Sequence, residues 1–274
     1  MKKRTISMIL AATLLFSVTA LTGCGSTAGT ETAATAGDLL AQIQERGTIT
    51  VAMEGTWAPW TYHDESNELV GYDVEVAQNI AERLGVEAEF VEGEWDGLFA
   101  GLDSGRYDMV VNGVEVTDER AEKYDFTEPY CYIHTALIVR DDNEDIKSFE
   151  NLDGKTTANS IASTYMTLAE SYGATATGVD SLDETINMVL AGRADATLNA
   201  DVSFYDYMNV HPDAALEIVA LTDDASEVCI PLRRGAETES LRAAINQAIE
   251  ELRADGTLAE ISEKYFGSDI SHEK

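Results

Sequence analysis

A chain of 274 residues with 50 acidic and 18 basic side chains carries a formal charge of −32. Such a surface repels nucleic acid and anionic lipid headgroups, which argues against either as a partner. Three cysteines are too few for a disulfide framework, and the length suits one large or two ordinary domains.

The chain opens MKKRTISMILAATLLFSVTALTGCGS. Lys2, Lys3 and Arg4 followed by the apolar run 6–20 have the form of a secretory signal peptide, too short to span a membrane. Loss of residues 1–23 removes three positive charges and no acid, taking the formal charge to −35. GSTAGTETAATAG (25–37) holds only small or polar groups, so a flexible tether is expected over 24–44. No later segment approaches the ~20 apolar residues of a membrane-spanning helix.

Strand and helix patterns then alternate. TITVA (48–52) and EAEFV (87–91) read as strands. Between them, YDVEVAQNIAERLG (72–85) puts Val76, Ala77, Ile80, Ala81 and Leu84 on one helical face, with Gly85 as its C-terminal cap. The alternation predicts an α/β architecture with a largely parallel sheet. GRYDMVVN ends at Asn112 and GRADATLN ends at Asn199, and each follows an amphipathic segment. The recurrence predicts two similarly built lobes. Ligands of open α/β sheets bind beyond the carboxyl ends of strands, so Asn112 and Asn199 are expected to face each other across a cleft.

SLRAAINQAIEELRADGTLAEISEKYFG predicts two closing helices, the first with Leu241, Ile245, Ile249 and Leu252 on one stripe. Thr257 and Glu260 have the spacing of a capping box for the second, which is expected to bury Leu258, Ile261, Tyr265 and Phe266.

NGVEVTDER (112–120) puts Arg120 just after Glu115, Asp118 and Glu119. Two readings stand: a solvated helix start capped by Thr117, or a pocket that needs one fixed positive charge. Signatures of nucleotide, metal and hydrolase chemistry are missing from the sequence, and His63, His134, His211 and His272 are scattered. The residues favour a binding protein without metal or cofactor over an enzyme.

Residues 45–270 resemble the bacterial extracellular solute-binding proteins of the polar amino acid ABC importers (family 3). The resemblance rests on GTWAPWTY, LVGYDVEVAQNIAERLG, EWDGLFAGLDSGRYD, VTDERAEKYDFTEPY and LRADGTLAEISEKYFG, in the family's order. NGVEVTDERAEKYDF and SEKYFGSDI point to the cystine-binding branch. LTGC (21–24) resembles a lipobox, which implies lipidation of Cys24 and anchoring to the membrane; an ordinary signal peptide with an incidental cysteine is the alternative.

The resemblance implies a two-lobe, type II periplasmic-binding-protein-like fold with two hinge-crossing segments, near 136–142 and 227–234. Lobe 1 would hold residues 45–137 and 229–270, lobe 2 residues 138–228. Cys131 and Cys229 would neighbour each other beside the hinge, bonded or free. Arg120 would clamp the ligand carboxylate with a planar fork that lysine lacks. Trp57 and Trp95 would wall the ligand, with core packing the alternative for each. Asn112 and Gly113 would hydrogen-bond it, and Ser163 and Thr164 would present a helix N-terminus to the same carboxylate. Glu54 stands where binders of basic amino acids often carry an acid. The family's usual aspartate is replaced by Ala200, followed by Asp201, while Glu115 replaces a neutral hydroxyl. Glu115 would then hold the ligand ammonium, or face solvent while Asp201 or a water does so, or read a cationic side chain. The function implied is capture of cystine or another polar amino acid by a monomer and delivery to an ABC permease. The alternatives are a dehydratase-like enzyme on the same fold and a ligand-gated surface sensor or adhesin.

Overall fold

A computed structural model describes residues 37–273. The expected signal peptide, Cys24 and nearly all of the 25–37 tether lie outside the described residues. Asp38 caps helix Leu39–Arg46, its carboxylate accepting the amide of Ala41 at 3.1 Å. Strand Thr48–Met53 follows and forms the centre of a three-stranded parallel sheet, between Glu87–Glu92 and Met109–Val110.

Helix Tyr72–Leu84 buries Val76, Ala77, Ile80, Ala81 and Leu84, the face that the period predicts. Gly85 ends it at φ 74°, donating to the carbonyls of Ala81 and Glu82. Gly71 starts it at φ 137°, where a β-carbon would stand 2.1 Å from the Trp60 carbonyl oxygen. Glycine alone lets this helix begin directly against the turn that carries Trp57 and Trp60.

The second sheet has five strands, in the order Thr175–Val179, Thr156–Ser160, Ala196–Ala200, Thr135–Arg140, Leu216–Leu221. The first three run parallel, and Thr135–Arg140 is antiparallel to both of its neighbours. The repeat read from the sequence has a structural counterpart. Helix Trp95–Asp103 leads to strand Met109–Val110, and helix Leu182–Leu190 leads to strand Ala196–Ala200. Each sheet centres one lobe.

Two short antiparallel ladders adjoin the first sheet, Cys131–Ile133 with Ser226–Val228 and Tyr124–Phe126 with Pro231–Arg233. Thr135 is already paired with Ala200, so residues 135–137 sit in the five-stranded sheet rather than with lobe 1. The chain thus enters the five-stranded sheet at Thr135 and leaves it after Leu221. Cys131 lies opposite Val228, the residue before Cys229. Successive side chains on a strand point to opposite faces. The two thiols are therefore neighbours in the ladder yet stay free and buried; burial pushes Cys131 well above the usual thiol range and Cys229 up to about 12.

Helices Glu239–Ala254 and Thr257–Phe266 return to pack on helix Tyr72–Leu84. Leu241, Ile245, Ile249 and Leu252 are buried, as are Leu258 and Ile261, whereas Tyr265 and Phe266 are half-buried. The expected capping box is absent. Gly256, at φ 89°, is the N-cap, which makes Thr257 the first helical residue, and its hydroxyl donates to Asp255 at 2.6 Å. Ile80 is fully buried in the core cluster that also holds Val51, Ile245 and Leu258. Ile80→Ala is expected to cost about 2–5 kcal/mol, measured as a lower urea midpoint at unchanged slope.

Candidate functional site

Thr117 caps helix Asp118–Lys123, its hydroxyl accepting the amide of Arg120 at 3.2 Å. The side chain of Arg120 nevertheless leaves this solvated helix start to line a cavity. Its guanidinium carbon lies 5.2 Å from the ring centre of Trp95 and 5.6 Å from that of Phe99. Nη1 donates to the backbone carbonyl of Glu115 at 2.9 Å. Burial lowers the pKa of Arg120, against the pull of Glu115, but a guanidinium keeps its proton regardless. One of its five N–H donors is thus engaged, and its flanks are π faces rather than carboxylates.

Glu115 is 6% exposed, and its Oε1 accepts the Thr164 hydroxyl at 2.5 Å. Its backbone is fixed separately, by a bridge to Val228. Thr164 is the first residue of helix Thr164–Ser171, and Ser163 caps that helix by accepting the amide of Met166 at 3.1 Å. A carboxylate of the first lobe thus rests on a helix N-terminus of the second, while the Ser163 hydroxyl is occupied with capping.

Asn112 and Gly113 are committed elsewhere than expected. Asn112 Nδ2 donates to Glu54 Oε2 at 2.7 Å, and Asn112 Oδ1 accepts the Glu54 amide at 2.8 Å. This pair of hydrogen bonds pins Glu54 in place. The Gly113 amide donates to Asp73 Oδ2 at 2.6 Å, and Asp73 Oδ1 accepts the Tyr130 hydroxyl at 2.8 Å. The amide of Gly113 is thereby spent inside the protein, and what the residue offers the cleft is a bare surface. At φ 56°, a β-carbon on it would meet the Trp57 ring at 2.6 Å. Trp57 thus closely approaches this backbone, and it stacks on Trp60 with ring centres 5.2 Å apart.

Two acids here resist ionisation. Burial raises Glu54 to about 7, with Glu94 adding to the rise and the Asn112 hydrogen bond opposing it. Burial also raises Asp73 to about 7, against the hydrogen bonds from Tyr130 and Gly113.

One cavity brings together Glu54, Trp57, Trp95, Asn112, Gly113, Glu115 and Arg120 from the first lobe with Ser163, Thr164 and Asn199 from the second. Asn112 and Asn199 do line the same cleft, although the Asn199 side-chain oxygen accepts the amide of Ala200 at 2.9 Å. Asp201 is the exception among the candidates. It starts helix Asp201–Val210 beside His134, Tyr132 and His272, in a separate depression at the hinge, where burial raises its pKa. The helix begins immediately after the strand, which turns that carboxylate away from the cleft. Thr56, Ser160, Tyr165, Ser181 and Leu182 also line the cavity. Ser160 ends a strand and Ser181 caps a helix by accepting the Glu184 amide at 3.3 Å, so both positions follow from strand-end and cap rules. No sequence signal marks Tyr165. Among the described residues, no cluster of side chains is suited to hold a metal ion.

The sequence pattern of the bacterial extracellular solute-binding proteins, family 3, matches residues 49–268. The L-cystine-binding protein TcyA of Bacillus subtilis is 38% identical over 266 residues, 96% of this chain and 98% of the relative. A probable amino-acid ABC transporter-binding protein of Haemophilus influenzae is 37% identical over 258 residues, 94% of this chain and 98% of the relative. Among solved structures, an ancestral arginine-binding protein bound to arginine superposes with a TM-score of 0.75 at 35% identity, covering 81% of this chain and 99% of its own.

Asp73 gives the site a pH signature. A folded-state value near 7 against 3.8 for the free group means that the folded protein holds the extra proton between those limits. Stability conferred by that proton is therefore lost as pH rises from about 4 to about 7. Urea unfolding of the wild type and Asp73→Asn across this range is expected to show the wild type losing ground to the variant by on the order of a few kcal/mol. A difference that stays constant with pH would place Asp73 in the ordinary carboxylate range.

Proposed function

We propose a capture-and-delivery role for this chain, which belongs to the bacterial extracellular solute-binding proteins, family 3. It binds an amino acid between its lobes, outside the cytoplasmic membrane, and delivers it to an ABC-type permease. The observation that carries this reading is the presence of Arg120 and Glu115 in one cavity. A free amino acid is a carboxylate and an ammonium separated by one carbon, and these two side chains offer the complementary charges.

Arg120 takes the carboxylate on its open fork, helped by the first amides of helix Thr164–Ser171, which have no carbonyl partner within the helix. The second oxygen of Glu115 takes the ammonium. Trp57 packs on the side chain, and its buried Nε1 has no hydrogen-bond partner among the described residues. Glu54, raised to about 7 by burial and held by Asn112, reads a polar group at the far end of the ligand.

Cystine or another polar amino acid fits this set, in keeping with the relatives, which are named as binding proteins rather than enzymes. Ligand contacts that exist only with the lobes together shift the population toward closure. Export by the N-terminal signal, anchoring through lipidated Cys24 and action as a monomer complete the proposal. Among the described residues no helix is long and apolar enough to cross a membrane.

Arg120→Lys tests the carboxylate clamp. Loss of a charge-assisted hydrogen bond contributes roughly 1.5–3 kcal/mol, which is about ten- to a hundredfold in Kd. Calorimetry with L-cystine and L-arginine is expected to show that loss for whichever binds the wild type. Unchanged affinity in a folded variant removes Arg120 from the site.

A further inference from the structure

Tyr165 lines the cavity as the second residue of helix Thr164–Ser171 and is 6% exposed. The hydroxyls around it have partners: Thr164 donates to Glu115, Ser163 accepts the Met166 amide, and Thr167 donates to the Ser163 carbonyl. Among the described residues, no side chain bonds the Tyr165 hydroxyl. Its ring packs in one core cluster with Ala200, and the Ala200 amide lies beside the phenol oxygen. That amide already donates to Asn199 Oδ1 at 2.9 Å. Burial holds the phenol well above its usual range, with Glu115 adding to the rise and Arg120 opposing it, so the group keeps its proton and is neutral.

Ala200 ends strand Ala196–Ala200 with a methyl group, where the family resemblance puts an aspartate. The second lobe thus lacks an acid at this strand end, while the first lobe has one in Glu115. Tyr165 and Glu115 line one cavity, yet no hydrogen bond joins them. We infer that the Tyr165 hydroxyl is the second lobe's contact for the ligand ammonium, opposite Glu115. An ammonium group has three N–H donors, and one carboxylate oxygen satisfies one of them. A phenol oxygen accepts another without adding a second negative charge, which would repel Glu115 across the cavity. Asp201 does not serve, because it lines the separate depression at the hinge. The inference rests on the amino acid reading and deepens it: the site selects ligands with a free α-amino group over those that offer a carboxylate alone.

Calorimetry on the full chain tests it, comparing the wild type with Tyr165→Phe against L-cystine and the common L-amino acids. For each ligand that binds the wild type, Kd is expected to rise about tenfold or more, the scale of a lost hydrogen bond to a charged group. Dithiodipropionate, which is cystine without its two amino groups, is expected to compete no worse with the variant than with the wild type. The urea midpoint of the ligand-free variant is expected to stay at the wild-type value, because the hydroxyl has no side-chain partner and the Ala200 amide keeps Asn199. An unchanged Kd in folded Tyr165→Phe overturns the inference and leaves the amino acid reading intact. Weaker competition by dithiodipropionate in the variant overturns it as well, by putting the hydroxyl on the carboxylate. A lower urea midpoint overturns it by making the role structural. Failure of the wild type to bind any of these ligands overturns the amino acid reading itself, and the inference with it.

Discussion

A guanidinium packed between two aromatic rings, with a backbone carbonyl as its hydrogen-bond partner, keeps its charge in reserve. A carboxylate in the carbonyl's place would neutralise Arg120 and leave nothing for a ligand anion to gain. Glu115 sits five residues earlier and could have supplied that carboxylate. Its backbone is turned by the bridge to Val228 so that the carbonyl meets Arg120 while the carboxylate meets Thr164. The separation of these two charges within one loop is the constraint on which the cleft depends. Unpaired burial of either would cost several kcal/mol.

Around that pair the protein is sparing with ionised groups. Its sequence is strongly acidic, yet Glu54, which lines the cavity, and Asp73, which supports Gly113 from behind, are both held near 7 by burial. Asp73 ties three elements together: the start of helix Tyr72–Leu84, the Gly113 backbone and the Tyr130 hydroxyl. Gly113, lacking a β-carbon, then lets the Trp57 ring come close. The wall of the cleft is in this sense built from behind, by a carboxyl group that no ligand would touch.

Much of this was legible in the sequence. The helical period of Val76 to Leu84, the stop at Gly85 and the recurrence of Gly-Arg before Asn112 and Asn199 each translate directly into backbone geometry. The acidic neighbours of Arg120 left two readings open, and the family resemblance pointed to its place in a cleft. What remained hidden depends on which partner a polar group chooses. Gly113 and Asp73 are forty residues apart, and nothing local says that an amide beside the cleft is already spent. Asp201 misled for a related reason: a strand passing straight into a helix reverses the direction of the next side chain, and one position decides which side of the hinge it faces. The Thr257–Glu260 spacing failed because Gly256 took the capping conformation first.

The stacked indoles give the molecule an optical property. The chain has three tryptophans, and all of them belong to the cleft region: Trp57 and Trp95 line the cavity, and Trp60 is stacked beneath Trp57. Trp60 is also bonded across the lobes to Ser203, and Trp95 is in contact with the guanidinium of Arg120. Every tryptophan photon the protein emits therefore originates beside the cleft, with no distant indole to dilute the signal. Occupancy and lobe movement should both be readable in the intrinsic emission of the unlabelled chain.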